Sequence, residues 1–195
     1  MALIWYSKTL IKIGIKFVYL PTQFKIYIKM KNLILSITAL FITLSASSQT
    51  IVDAAASNKD FSTLVTALKA ADLVGALSGE GPFTVFAPNN DAFGKIDSET
   101  LGSLLKPENV GALSNILTYH VVSGKLMASD VTKALKDGYG RVKLTALNGQ
   151  TFVARSKGGK IFLKDQNGDM SQVIATDVVG TNGVIHVIDS VIMPE

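Results

Sequence analysis

The apolar positions of this chain change their period along its length. Between Gly81 and Phe93 (GPFTVFAPNNDAF) they follow a spacing of two, with Phe83, Val85 and Ala87 on one side and Thr84 and Phe86 on the other. Both sides are mostly apolar, which predicts a strand covered on both faces. Pro88 has no N–H to give a ladder and is expected to end that strand. Asn89, Asn90 and Asp91 have side chains that bond nearby backbone N–H groups, so a turn or helix cap is expected there. Ala92 and Phe93 then return the chain to the core.

On either side of this stretch the period is that of a helix. Ile51–Ser57 reads as a short first helix. Asp60 is expected to cap a second, Phe61–Ala70, in which Phe61, Leu64, Val65 and Leu68 form one face. Asp72 is expected to cap a third short helix that stops at Gly79. After the strand, Asp97 or Ser98 caps a helix that turns Leu101, Leu104 and Leu105 inward. Pro107 and Glu108 suit the first turn of another, which buries Val110, Leu113, Ile116 and Leu117. That helix runs into a β-prone stretch, Tyr119-His120-Val121-Val122. Ser129 or Asp130 caps one more helix, through Leu135 to Gly138.

Beyond Gly138 the runs become strand-like: Arg141–Leu147, Gln150–Ser156, Lys160–Lys164 and Met170–Thr176. Asn148-Gly149, Gly158-Gly159 and Asn167-Gly168 separate them, and such pairs accept the positive φ of hairpin turns. An antiparallel meander is expected, followed by a nearly all-apolar closing strand, Gly183–Met193. Helices crowd the first half and strands the second, which gives an α+β domain.

Composition changes the picture at the N-terminus. Residues 1–48 carry six of the 19 basic residues and no acid. Residues 1–29 read as an upstream extension or leader, in which Lys8, Lys12 and Lys16 recur every four residues as on a membrane-surface helix. At Met30 a secretory signal begins, with Lys31 as its basic start, Leu33–Leu44 as its apolar core and Ala46-Ser47-Ser48 as small residues for cleavage. The apolar core is too short to span a bilayer comfortably. The expected organisation is a leader (1–29), a signal peptide (30–48) and one domain (49–195) working outside the cytoplasm, secreted or periplasmic. Membrane attachment would come only through an uncleaved leader.

The domain itself keeps 13 basic against 15 acidic residues. That balance does not argue for nucleic acid and predicts modest salt dependence of binding. The chain has no Cys, which excludes disulfides, thiolate metal sites and a cysteine nucleophile.

Chemistry-bearing residues are few. His120 and His186 are the only histidines; they lack a third ligand and read as hydrogen-bonded structural groups, so no metal is expected. Asp177 is either an exposed carboxylate for a basic partner group or bridging cation, or a turn former bonding its own backbone. Asp189 reads as a structural acceptor inside the closing strand. Asp165, Asn167 and Asp169 resemble part of a calcium loop but lack its bidentate Glu, and read as a hairpin turn. Lys157-Gly158-Gly159-Lys160 is a basic hairpin tip able to touch an acidic polysaccharide. No GxSxG, HExxH or phosphate loop is present, so neither an enzyme nor a cofactor is expected. A carboxylate pair acting on extracellular polysaccharide is the alternative, because such pairs are set by the fold.

Three stretches resemble the boxes of fasciclin-like domains, in the family's order. They are TVFAPNNDAF (Thr84–Phe93), the Tyr119-His120 pair within LTYHVVSG, and TNGVIHVIDSVIMP (Thr181–Pro194). The resemblance covers Thr50–Glu195. It implies a wedge in which a β-sandwich of about seven strands has several helices packed along its edge. Thr84, Phe86, Pro88, Asn89, Phe93, His186 and Asp189 would be its structural motif residues. It also implies adhesion through a cell-surface or matrix protein, or through polysaccharide, with homo-oligomers open to an apolar rim. Some animal members bind integrins through an Asp–Ile pair before the second box and residues flanking the Tyr-His motif. The matching positions here are Asp177-Val178 and Tyr119-His120, with Val in place of Ile.

Overall fold

Strand β1 (Phe83–Pro88) lies one strand in from the edge of a seven-stranded sheet. The computed structural model describes residues 49–195; the expected leader and signal peptide lie outside the described residues. On one side β1 pairs antiparallel with β2 (Val121–Ser123), and on the other it runs parallel to β7 (Gly183–Ile188) over six residues. β3 (Arg141–Thr145), β4 (Thr151–Lys157), β5 (Lys160–Lys164) and β6 (Met170–Gly180) form the antiparallel meander that the alternation and the glycine turns predict.

The strand order is β2-β1-β7-β6-β5-β4-β3. β6 is longer than its alternation suggests, because it serves two partners. Met170–Gln172 pair with β5 and Val173–Gly180 with β7, with register breaks between Val173 and Ala175 and between Ala175 and Val178. Bulges of this kind bend a strand and sharpen its twist, and here they let β6 join the β2-β1-β7 half to the β5-β4-β3 half. A backbone bridge between Val122 and Ala146 brings β2 against the end of β3, so the sheet nearly closes.

Six of the described helices collect on the outside of the β1–β7 half. α1 (Ile51–Ser57), α2 (Ser62–Ala70) and α3 (Val74–Ser78) precede β1; α4 (Asn90–Phe93), α5 (Ser98–Leu104) and α6 (Val110–Tyr119) follow it. Ile51, Phe61, Leu64, Leu68, Leu113 and Leu117 pack on Ala87 and Ile185 to make one core. A second core fills the sheet interior with Phe86, Tyr119, Phe152, Leu163 and Ile188, closed by Val131 and Leu135 of α7 (Ala128–Asp137). β1 therefore contributes to both, as its two apolar sides predict: Phe86 is 1% exposed and Ala87 is 0% exposed.

Several local expectations change. Asp60 does not cap α2; it lies in a 3₁₀ turn, Lys59–Phe61, where its N–H donates to Asn58 Oδ1 at 3.0 Å. Asp72 does not cap α3. It stands just past the C-terminus of α2 with φ 55°, while Leu73 N–H reaches back to Leu68 O at 3.0 Å, a Schellman closure. α7 starts at Ala128, not at a Ser129 or Asp130 cap; Asp130 Oδ2 instead accepts from Met127 N at 2.9 Å. Tyr119 ends α6 and His120 keeps helical angles (φ −82°, ψ −3°) as its C-cap, so the strand begins only at Val121. The closing strand stops at Ile188, and Asp189 lies just beyond it.

Candidate functional site

The residues of the first box hold the interior together. Phe86 lies 5.5 Å from Phe152, ring edge to face, and 5.6 Å from the His186 ring. Tyr119 meets Phe152 at 5.5 Å in the same manner, the arrangement favoured by aromatic quadrupoles. Thr84 is fully buried; its hydroxyl donates to Gly124 O at 2.6 Å and accepts from Leu126 N at 2.8 Å. Pro88 is the last residue of β1, opposite Ile188. Asn89 Oδ1 accepts from Ala92 N at 2.9 Å, the N-cap that sequence reasoning expects, and Phe93 is buried behind it.

Tyr119 and His120 are buried, at 0% and 2% exposure. The Tyr119 hydroxyl donates to Thr151 O at 3.1 Å, and burial pushes its pKa up, with the charge of Asp165 adding to the effect. His120 Nδ1 donates to Ile116 O at 2.7 Å and Nε2 accepts from Ile192 N at 3.1 Å. These two partners select the neutral Nδ1–H tautomer. Burial lowers the His120 pKa to about 4, against a smaller opposing pull from Ile116 O.

The second box and the residues before it converge on the loop that launches α7. His186, 2% exposed, donates from Nε2 to Leu126 O at 2.7 Å and accepts at Nδ1 from Asp177 N at 3.3 Å. Asp177 has φ 61°, a conformation that Asp tolerates better than most residues. Its Oδ1 accepts from Ala128 N at 2.8 Å, the first helical N–H of α7. Thr84, His186 and Asp177 thus clamp Gly124–Ala128 from three strands' worth of backbone. Asp189 Oδ1 accepts from Gln172 N at 2.7 Å, and its Oδ2 is 3.3 Å from Lys95 Nζ. Desolvation, the largest influence on Asp189, raises its pKa; the bonds from Gln172 N and Lys95 together outweigh it and hold the carboxyl below its usual range.

Of the four contact positions that the family resemblance marks, only Asp177 and Val178 reach the surface together. Asp177 is half-buried with its carboxylate engaged, whereas Val178 is 39% exposed. Ile174 and Val179, on the same strand, are 48% and 53% exposed. Tyr119 and His120 are buried and do not reach the surface with them. Asp165 has a structural part that its turn-like setting does not disclose. It is buried, accepts from Asp169 N at 2.9 Å, and binds Met193 N at 3.1 Å through its second oxygen. Nothing local signals that the C-terminal segment closes on that turn. Among the described residues no three His, Asp or Glu side chains are placed to hold a metal ion, and no helix is long and apolar enough to cross a membrane.

A family model, the Fasciclin domain, matches residues 59–194. Protein sll1483 of Synechocystis sp. is 50% identical over 148 residues, which cover 76% of this chain and 75% of that protein. Periostin of Homo sapiens is 35% identical over 141 residues, covering 70% of this chain and 15% of periostin. The FAS1 domain pair of the insect cell adhesion molecule Fasciclin I has the same fold, with a TM-score of 0.65 at 21% identity over 73% of this chain and 50% of that one.

Proposed function

Because this chain belongs to the fasciclin domain family, we propose that it is a non-catalytic adhesion module, contacting a cell-surface or matrix protein outside the cytoplasm. The observation that carries this reading is that β6 leaves three aliphatic side chains, Ile174, Val178 and Val179, exposed. Exposed aliphatic side chains are surface that a partner can dry. β6 is braced at this point, since Asp177 and His186 tie the bulged strand to the α7 loop. The signal-like segment 30–48 supports export, with the mature chain starting near Gln49. A glycosidase needs two carboxylates flanking a cleft; the open cleft beside Tyr139 is lined by Arg141, Arg155 and Lys157, with no carboxylate in its walls, which favours binding over catalysis.

The direct test is equilibrium binding of the labelled protein to intact source cells and their isolated matrix. Saturable binding that weakens severalfold in a Val178→Lys, Val179→Lys variant of unchanged melting temperature supports the reading. Unchanged binding by that variant removes the exposed β6 side chains as the contact, and no saturable binding at all removes the adhesion reading. Asp177 is unsuitable as the probe, because its carboxylate serves the fold.

A further inference from the structure

The net charge of the domain conceals a segregation. From Gly138 to Lys164 the chain holds Arg141, Lys143, Arg155, Lys157, Lys160 and Lys164 and no acid, whereas all 15 acidic residues lie elsewhere. The fold spreads these cations over one surface. In β3 the exposed positions are Arg141, Lys143 and Thr145, alternating with the inward Val142 and Leu144; in β4 Phe152 and Ala154 point inward and Arg155 and Lys157 outward. The register sets Arg141 opposite Arg155, and Lys157 opposite Lys160. Like charges directly opposite on a sheet face repel, and among the described residues none of the six has a carboxylate within ion-pairing distance. The fold therefore tolerates two repulsive pairs on one face.

A second observation lies at the edge of that face. Tyr139 is 96% exposed and has φ 54°, in the left-handed region. It occupies the position after the α7 C-cap where glycine is usual, with Gly140 N–H closing back on Leu135 O at 2.7 Å. A tyrosine there strains the backbone and gains no burial in return, the kind of outlier that points to use. Beside it opens a cleft of about 370 Å³ lined by Tyr139, Arg141, Arg155, Ser156, Lys157 and Met170.

We propose that the outer face of β3–β5, with the Tyr139 cleft at its edge, binds an acidic polysaccharide carrying carboxylate or sulfate groups. This goes beyond the protein contact proposed above, adding a second face and a second class of partner, and rests on the same reading of an adhesion module outside the cytoplasm. Opposed guanidinium forks hold a carboxylate or sulfate through paired N–H···O bonds. Successive cation rows along a strand are about 7 Å apart and neighbouring strands about 5 Å apart, so a linear polyanion meets charge at several points. The ring of Tyr139, and that of Phe162 opposite Arg155, offer flat apolar surfaces for the C–H face of a sugar. Nucleic acid fits less well, because the domain as a whole carries more acid than base and Asp137, Asp165 and Asp169 border the basic segment in sequence.

The experiment measures binding of the purified full chain to immobilised polygalacturonate, dextran sulfate, neutral dextran, a short DNA duplex and the source-cell matrix. At least one acidic polysaccharide should bind saturably and neutral dextran should not, with affinity falling about tenfold between roughly 50 and 250 mM salt. This salt dependence is steeper than the net charge predicts. An Arg141→Gln, Arg155→Gln variant should bind about tenfold more weakly at an equal or higher melting temperature, because it relieves repulsion. Tyr139→Gly should lose affinity while gaining thermal stability, a combination that a merely structural tyrosine would not produce. Unchanged binding by the double variant, equal binding to neutral dextran, or tighter binding to the DNA duplex each overturns the proposal. Matrix binding without affinity for either acidic polymer sinks this inference and leaves the adhesion reading standing; loss of all binding takes both.

Discussion

His120 is the residue whose chemistry most constrains the conditions under which this fold is stable. Its ring is held neutral between Ile116 O and Ile192 N, with burial lowering its pKa from 6.5 to about 4. In the unfolded chain the imidazole takes a proton as pH falls through 6.5, while the folded protein resists until about 4. Stability from this group is therefore complete above pH 6.5, is lost progressively as pH falls from 6.5 to about 4, and changes no further below that. A displacement of this size corresponds to about 3 kcal/mol. Denaturant titrations at intervals between pH 7 and 4 should show that decline, and His120→Gln should flatten it from a lower starting stability; an equally steep decline in the variant would remove His120 as its source. Asp189 acts in a separate window, since a depressed carboxyl loses its contribution only as pH falls below the ordinary carboxylate range. Asp177 can be tested by chemistry alone. Asn keeps an oxygen for Ala128 N and tolerates φ 61°, so Asp177→Asn should cost under about 0.5 kcal/mol. Asp177→Ala loses the bond and strains the backbone, and should cost about 2 kcal/mol by chemical denaturation. Equal losses in the two variants would mean that neither the oxygen nor the backbone angle matters.

The elements show which local rules prevailed. Asp72 follows α2 in a left-handed conformation, exposed, and places a negative charge near the helix's negative end. Asp72→Gly removes both penalties and should raise stability by about 1 kcal/mol, seen as a rise of roughly 2–4 °C in melting temperature; a fall would mean that the carboxylate has a favourable partner in solution. The same residue explains a misreading, because Asp is common both as a cap at helix starts and as a left-handed residue at helix ends, and periodicity does not separate the two. β1, the turn capped by Asn89 and the hairpins at Asn148-Gly149 and Gly158-Gly159 were legible because their determinants lie within a few residues. The structural role of His120 was legible too, but the partners of Tyr119-His120 were not: Tyr119 bonds Thr151 O, 32 residues away, and His120 binds Ile192 N, 72 residues away. The start of α7 was hidden for the same reason, since one N–H acceptor, Asp177, lies 49 residues downstream.

Across the whole molecule, the three boxes made the family and its seven-stranded α+β fold legible, and an average obscured the charge. Summed over the domain, 13 bases and 15 acids nearly cancel, yet strand alternation and hairpin register collect six cations on the outside of β3–β5. A count confined to residues 138–164 would have exposed the imbalance; the opposed arginines needed the register. The same architecture determines how the protein unfolds. The helix-side core and the sheet-interior core share β1 and β7, whose residues are buried alternately against one and then the other. Melting either core exposes one whole face of both strands, so the two should unfold together. Leu64→Ala on the helix side and Leu163→Ala in the interior should each cost about 2–5 kcal/mol. Each should lower one transition in which far-UV ellipticity, dominated by the helices, and near-UV ellipticity, with Tyr119 and Phe152 in the interior, fall at the same temperature. If Leu64→Ala moved the far-UV midpoint and left the near-UV midpoint in place, the cores would be separate folding units, and β1 would join them without coupling them.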